Sequence, residues 1–226
     1  MSLKLAIFDL DGTLIDSLED LADSMNAVLT RRGLSARPVD AYRYYVGDGV
    51  ANLVKRALAA STPAPAPRQT VEDCIRDMKA EYAARWARKT RPYPGIPELL
   101  AALRGLRLRL GVLTNKPHDF ALSVVEHFLG RETFDAVLGA RAGVPHKPDP
   151  AGAREILRLL GVRADEVLYV GDTGTDMDTA AAAGLESVGA LWGFRPEEEL
   201  VRHGAAHLIR EPGQLLDHLR PSRRQT

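Results

Sequence analysis

Near its start the chain has an unbroken apolar run, Leu5, Ala6, Ile7 and Phe8, that leads straight into Asp9, Leu10, Asp11, Gly12, Thr13 and Leu14. The run is too short for a helix of its own and suits a strand buried on both faces, as in the middle of a parallel sheet. Acids do not belong inside such a strand. They belong at its carboxyl end, where open α/β sheets present their ligands. Because side chains alternate along a strand, Asp9 and Asp11 are expected to point the same way while strand geometry lasts. Two carboxylates that close repel unless positive charge lies between them. Gly12 lets the backbone turn sharply, and its amide, with that of Leu10, is expected to face an anion. The plain alternative, a solvated turn closing a strand, gives way because three partner segments recur further on.

After Leu14 the apolar spacing becomes helical. Leu18, Leu21, Ala22, Met25, Val28 and Leu29 share a face, with Asp16 and Glu19 spaced as a capping box and Gly33 ending the helix. Two more helices carry Val50, Leu53, Val54, Ala57 and Leu58, then Val71, Ile75, Met78, Tyr82 and Trp86. The proline-rich stretch from Ser61 to Pro67 between them is a loop. Beyond Pro94 strands and helices alternate. Strands are expected over Leu106 to Leu113, Phe134 to Leu138, Val167 to Val170, Ser187 to Leu191 and His207 to Ile209, with helices between and a last helix at Gln214 to Leu219. This alternation predicts a doubly wound, mostly parallel α/β sheet with helices on both faces. Residues 1–15 and 90–226 form that core, and residues 16–89 form an all-helical domain inserted into it.

Three polar groups follow the logic of Asp9. Thr114 and Asn115 follow Leu113, Lys147 lies in the loop His146 to Pro150, and Asp172 and Asp176 follow Val170. In a sheet of this class those ends line one rim. Asp9, Asp11, Asp172 and Asp176 together place up to four negative charges in one crevice, a donor set for a hard divalent cation, with magnesium the natural choice. Lys147 and the Thr114 hydroxyl suit a phosphate held beside it.

These four segments, in this order, resemble the motifs of the haloacid dehalogenase superfamily of aspartate-nucleophile phosphatases, and the inserted helices resemble the family's helical cap. The resemblance implies a Rossmann-like core and a magnesium-dependent phosphomonoester hydrolase. It implies that Asp9 attacks phosphorus to give an aspartyl-phosphate, and that Asp11 protonates the leaving alcohol and later takes a proton from water. It implies metal ligation by Asp9, the Asp11 carbonyl, Asp172 and Asp176, and phosphate contacts from Thr114, Asn115, Lys147 and Gly12. The segment Tyr44, Tyr45, Val46, Gly47, Asp48, Gly49 resembles the cap segment of phosphoglycolate phosphatases, so Tyr45, Gly47 and Gly49 are expected to set specificity for 2-phosphoglycolate. Asp48 in that segment would repel a carboxylate if it faced inward. A sugar phosphomutase of the β-phosphoglucomutase kind shares core and cap and is the competing enzyme; a non-catalytic scaffold is disfavoured because Asp9 and Asp11 are both present.

Thirty basic and thirty acidic residues give a net charge of zero, so no long-range field draws the chain to nucleic acid or an anionic membrane. The one cysteine, Cys74, excludes an intrachain disulfide and reads as helix core. No apolar run reaches membrane-spanning length. The expected setting is a cytoplasmic monomer or homodimer acting on a small phosphorylated metabolite. Asp178 reads as a solvated helix-start acid, the six histidines show no metal spacing, and Pro221 to Thr226 reads as a frayed end.

Overall fold

A computed structural model describes residues 3–219. The expected frayed end, Pro221 to Thr226, lies outside them. In chain order the elements are β1 (Leu5–Phe8), β2 (Ile15–Asp16), α1 (Leu18–Arg31), α2 (Val50–Ala59), α3 (Arg68–Ala83), β3 (Arg91–Pro92), α4 (Ile96–Gly105), β4 (Arg109–Pro117), α5 (His118–Leu129), β5 (Ala136–Ala140), α6 (Ala151–Leu160), β6 (Val167–Gly171), α7 (Gly174–Ala183), β7 (Glu186–Ala190), α8 (Glu197–Arg202) and β8 (His207–Ile209). The chain divides into two compact units. One holds the chain up to Leu14 and from Pro92 onward; the other runs from Ile15 to Arg91.

The first unit is a six-stranded sheet in the order β5-β4-β1-β6-β7-β8, and every pairing in it is parallel. β1 lies between β4 and β6 with all four residues fully buried, as its apolar run requires. Leu5 and Ile7 pack with Ile156 of α6, Ala180 of α7, and Val167 and Tyr169 of β6 in one core cluster. Strand order reverses at β1 and β6: the chain proceeds from β1 to β4 and β5 on one side, and from β6 to β7 and β8 on the other. That reversal opens a crevice at the strands' carboxyl ends.

β4 departs from expectation. Leu106, read as its first residue, is instead the C-cap of α4 and is 58% exposed, and Arg107 takes a left-handed conformation at φ 59°. The strand starts at Arg109 and runs to Pro117, two residues past the expected end at Thr114 and Asn115. The last helix is also different, a 3-10 segment over Pro212–Leu219.

The second unit is built from α1, α2 and α3, a 3-10 segment at Val39–Tyr44, and the short ribbon of β2 with β3. The capping box expected at α1 does not form. Ser17 is the N-cap but its side chain does not cap the helix, and Asp16 Oδ1 accepts from the Leu18 amide at 3.3 Å. The buried acid that matters is Asp20. Its Oδ2 accepts from the Lys89 amide (2.9 Å), the Thr90 amide (2.8 Å) and the Thr90 hydroxyl (2.8 Å), pinning the exit segment to α1. Cys74 is buried, and burial pushes its thiol up, as suits a core position. No helix among the described residues is long and apolar enough to cross a membrane.

Candidate active site

Three strands deliver the polar groups to the crevice. Asp9 follows β1, with its amide donating to the Val170 carbonyl of β6 at 2.9 Å, so its place is fixed by the sheet itself. The chain then turns tightly, the Leu14 amide reaching back to the Leu10 carbonyl at 3.0 Å. Gly12 sits at φ 92°, and a Cβ there would lie 2.3 Å from Asp172 Oδ2. Glycine is required on both counts. Asp172 follows β6 and is completely buried; Oδ1 accepts from the Thr13 hydroxyl (2.8 Å) and Oδ2 from the Phe194 amide (2.8 Å). Trp192 closes the same corner, its indole donating to the Thr13 carbonyl at 2.9 Å.

Asp176 is held by local helix chemistry. It is the third residue of α7, and it forms a capping box with Thr173: Oδ2 accepts from the Thr173 amide and hydroxyl at 3.1 and 2.7 Å. Its Oδ1 accepts from Lys147 Nζ at 2.7 Å and from the Tyr169 hydroxyl at 3.3 Å. Lys147 is in turn fixed by Asn115. The Asn115 side chain accepts from the Lys147 amide at 2.9 Å and donates to its carbonyl at 3.1 Å. Asn115 thus clamps the Lys147 main chain, and the Thr114 hydroxyl accepts from the Lys116 amide at 3.2 Å.

Asp9, Asp172 and Asp176 each bring a carboxylate oxygen within 4.8 Å of the others, all three buried. Lys147 Nζ stands 2.9 Å from Asp9 Oδ1, yet not in a direction that makes a hydrogen bond, and that buried oxygen has no hydrogen-bond partner. Burial pushes the Asp9 carboxyl up to about 7; Lys147 pulls it down and Asp176 pushes it further up. Burial likewise raises Asp172 to about 8, reinforced by the charges of Asp176 and Asp9. For Lys147 burial acts to lower the pKa, but Asp176 and Asp9 outweigh it and hold the ammonium well above its usual range. Three carboxylates against one ammonium leave two negative charges when all are ionised. Three buried carboxylates and a charge of that size fit a divalent cation with oxygen ligands.

Asp11 stands apart from this cluster. The two acids of the first motif were expected side by side, but β1 ends at Phe8 and the turn that follows sends them to different partners. Both Asp11 oxygens accept from Lys116 Nζ, at 2.9 and 3.0 Å. Lys116, whose side chain is 4% exposed, lies in the segment Thr114 to Pro117 but had no role assigned to it by the sequence, because β4 is irregular between Leu113 and Pro117 and alternation does not place its side chain there. Thr13 of the first motif and Phe194 take a role that the sequence did not assign, holding Asp172.

The Tyr45 to Gly49 segment lies in the helical unit. Gly47 and Gly49 have φ 119° and 84°, Gly49 is the N-cap of α2, and Tyr45 stacks edge-on against buried Tyr42 with ring centroids 5.2 Å apart. Asp48 does not carry its charge alone. Arg56, the seventh residue of α2, pairs with its carboxylate and donates to the Tyr45 carbonyl at 3.2 Å. Asp178, read as a solvated acid, faces His203 Nδ1 at 3.0 Å.

The family model for haloacid dehalogenase-like hydrolases matches residues 6–190. The chain belongs to that family. Among curated haloacid dehalogenase-like relatives, the phosphoglycolate phosphatase of Psychrobacter arcticus is 30% identical over 97% of this chain and 96% of its own. That of Rhodospirillum rubrum is 38% identical over 86% and 82%. The crystal structure of a candidate phosphoglycolate phosphatase from Lactobacillus delbrueckii subsp. bulgaricus superposes with a TM-score of 0.91 at 31% identity, covering 97% of this chain and 99% of that one. The doubly wound α/β fold expected from the sequence is the fold of these haloacid dehalogenase-like proteins.

Proposed function

We propose that this haloacid dehalogenase-like hydrolase is a magnesium-dependent phosphomonoesterase that works through an aspartyl-phosphate on Asp9, with 2-phosphoglycolate as its substrate. The observation that carries the reading is the convergence of the buried Asp9, Asp172 and Asp176 carboxylates beside Lys147 at the strand-order reversal, a cluster that fits a divalent cation. Bound magnesium, held by Asp9, Asp172 and the Asp11 carbonyl, would offset charge on the phosphoryl oxygens. Asp9, as the carboxylate, attacks phosphorus in line and forms a P–O bond. The bond from phosphorus to the ester oxygen breaks, and Asp11 gives that oxygen a proton. Water then attacks phosphorus, Asp11 takes a proton from it, and inorganic phosphate leaves with Asp9 restored.

The other groups prepare these steps. Lys147, clamped through Asn115 and anchored by Asp176, keeps a fixed positive charge beside the nucleophile for the phosphoryl oxygens. Asp176 holds Lys147 through Oδ1 and, with a carboxylate oxygen within 4.8 Å of those of Asp9 and Asp172, completes the acidic group that would hold the cation. Thr114 supplies its hydroxyl to phosphate. Asp172 is held by Thr13 and Phe194 so that its carboxylate keeps one orientation toward a cation.

The helical unit is proposed to serve as the cap that selects the leaving group, through Tyr45, Gly47 and Gly49. The substrate itself rests on the curated relatives' names and on this segment, where Arg56 neutralises the Asp48 charge that would otherwise oppose a carboxylate. The test is phosphate release, with and without magnesium, over 2-phosphoglycolate, sugar phosphates and nucleotides. A clear lead in kcat/KM for 2-phosphoglycolate is expected. A lead for a sugar phosphate that depends on a sugar bisphosphate would replace hydrolysis with phosphoryl return to the sugar.

A further inference from the structure

We infer that Lys116 is the residue that recognises the substrate's carboxylate, and that the preferred class is phosphate esters of α-hydroxy acids. The inference deepens the proposed function and rests on it. β4 is irregular between Leu113 and Pro117, and there the Lys116 amide donates to the Thr114 hydroxyl at 3.2 Å, so a phosphate met by Thr114 has Lys116 as its neighbour. Lys116 is a buried lysine, its side chain 4% exposed, and a buried ammonium is tolerated only beside an anion. Here that anion is the carboxylate of Asp11, gripped through both oxygens at 2.9 and 3.0 Å.

The location decides the ligand chemistry. Asp11 serves the ester oxygen of the leaving alcohol, so that oxygen lies within hydrogen-bond reach of Asp11, and the alcohol's next atoms lie within reach of Lys116. In 2-phosphoglycolate the carboxyl carbon is two bonds from the ester oxygen, the spacing that brings the carboxylate to a cation sitting on Asp11. An ester whose carboxylate is further along its chain, or absent, leaves Lys116 without that contact. The lysine therefore reads charge next to the scissile bond, independently of what the helical unit contributes.

The experiment compares kcat/KM for 2-phosphoglycolate and ethyl phosphate, which lacks only the carboxylate function, in the wild type and in Lys116→Met. Each variant is scored by the ratio of the two substrates, so a loss of folded fraction, or of Asp11 alignment common to both, cancels. The wild type is expected to prefer 2-phosphoglycolate, and Lys116→Met to reduce that preference roughly 10- to 100-fold, as for a lost charged hydrogen bond. Lys116→Arg should retain most of it. If Lys116→Met is insoluble, Lys116→Gln, neutral and still able to donate to Asp11, gives the same ratio. A wild-type preference that survives in the neutral variant overturns the role of Lys116 and leaves the substrate proposal standing. Absence of any wild-type preference overturns both.

Discussion

The turn after β1 and the turn before α2 are both glycine-bearing segments at the end of an element, yet different forces hold them. At the first, Gly12 is hemmed in by Asp172, Asp9 is tied to β6 through its amide, and the charged groups are buried and joined through Lys147 to Asp176 and Asn115. At the second, Tyr44 is 55% exposed and the Asp48 and Arg56 side chains form a pair open to solvent. The first has its geometry imposed by a packed sheet, where one misplaced atom meets another. The second has it imposed by local contacts that a few substitutions can rearrange. Chemistry common to a family suits the first kind of support; choice among substrates suits the second.

The contrast is sharpest at Asp9. Asp9→Asn preserves shape but removes the nucleophile, and should lower kcat by at least about a thousandfold while circular dichroism and Tm stay near wild type. Lys147→Met comes next. It leaves Asp9 and Asp176 buried without their cation, so it should cost about 3–5 kcal/mol in denaturant unfolding as well as most of the activity.

The same buried charges make a pH prediction. The Asp9 and Asp172 carboxyls are raised from 3.8 to about 7 and about 8 in the folded, metal-free protein. Between pH 4 and 8 the folded state therefore holds protons that the unfolded state has released. Stability from this site is greatest at the acid end of that window and falls as pH rises through it. Thermal melts in a chelator should show that decline, and magnesium should raise Tm more at pH 8 than at pH 5, because at pH 8 fewer protons need to leave.

Smaller effects test the supports. Asn115→Ala frees the Lys147 main chain and should cost about 1–3 kcal/mol by urea unfolding, with a fall in kcat larger than any change in KM. Arg56→Ala breaks a part-exposed pair and should cost no more than about 1 kcal/mol. Its main readout is a rise in KM for 2-phosphoglycolate with kcat little changed. Equal damage to kcat from Arg56→Ala and Asn115→Ala would erase the distinction between the two turns.

What was legible in the sequence follows the same division. β1 and β6 were readable because a run buried on both faces is continuously apolar, and the acids that end them cannot be inside. The parallel order followed from strand and helix alternation. β4 was misplaced because Leu106 is apolar yet exposed, stranded on a helix C-cap ahead of a left-handed Arg107. At its far end β4 runs two residues past the expected end at Asn115, through an irregular stretch between Leu113 and Pro117 where alternation does not place the Lys116 side chain. The separation of Asp11 from Asp9 was hidden for a related reason: alternation applies only while a strand lasts, and β1 stops before either acid. The roles of Asn115 and Asp176 as holders of Lys147 depend on pairs 32 and 29 residues apart, which no local pattern encodes.

The most direct test of the central claim is to quench the enzyme in acid during turnover of 2-phosphoglycolate labelled at phosphorus, with magnesium present, and to map the bound label by peptide. The account predicts acid-stable, base-labile phosphate on the peptide carrying Asp9, and none in Asp9→Asn. Phosphate release by Asp9→Asn at the wild-type rate, with no label on the protein, would contradict it.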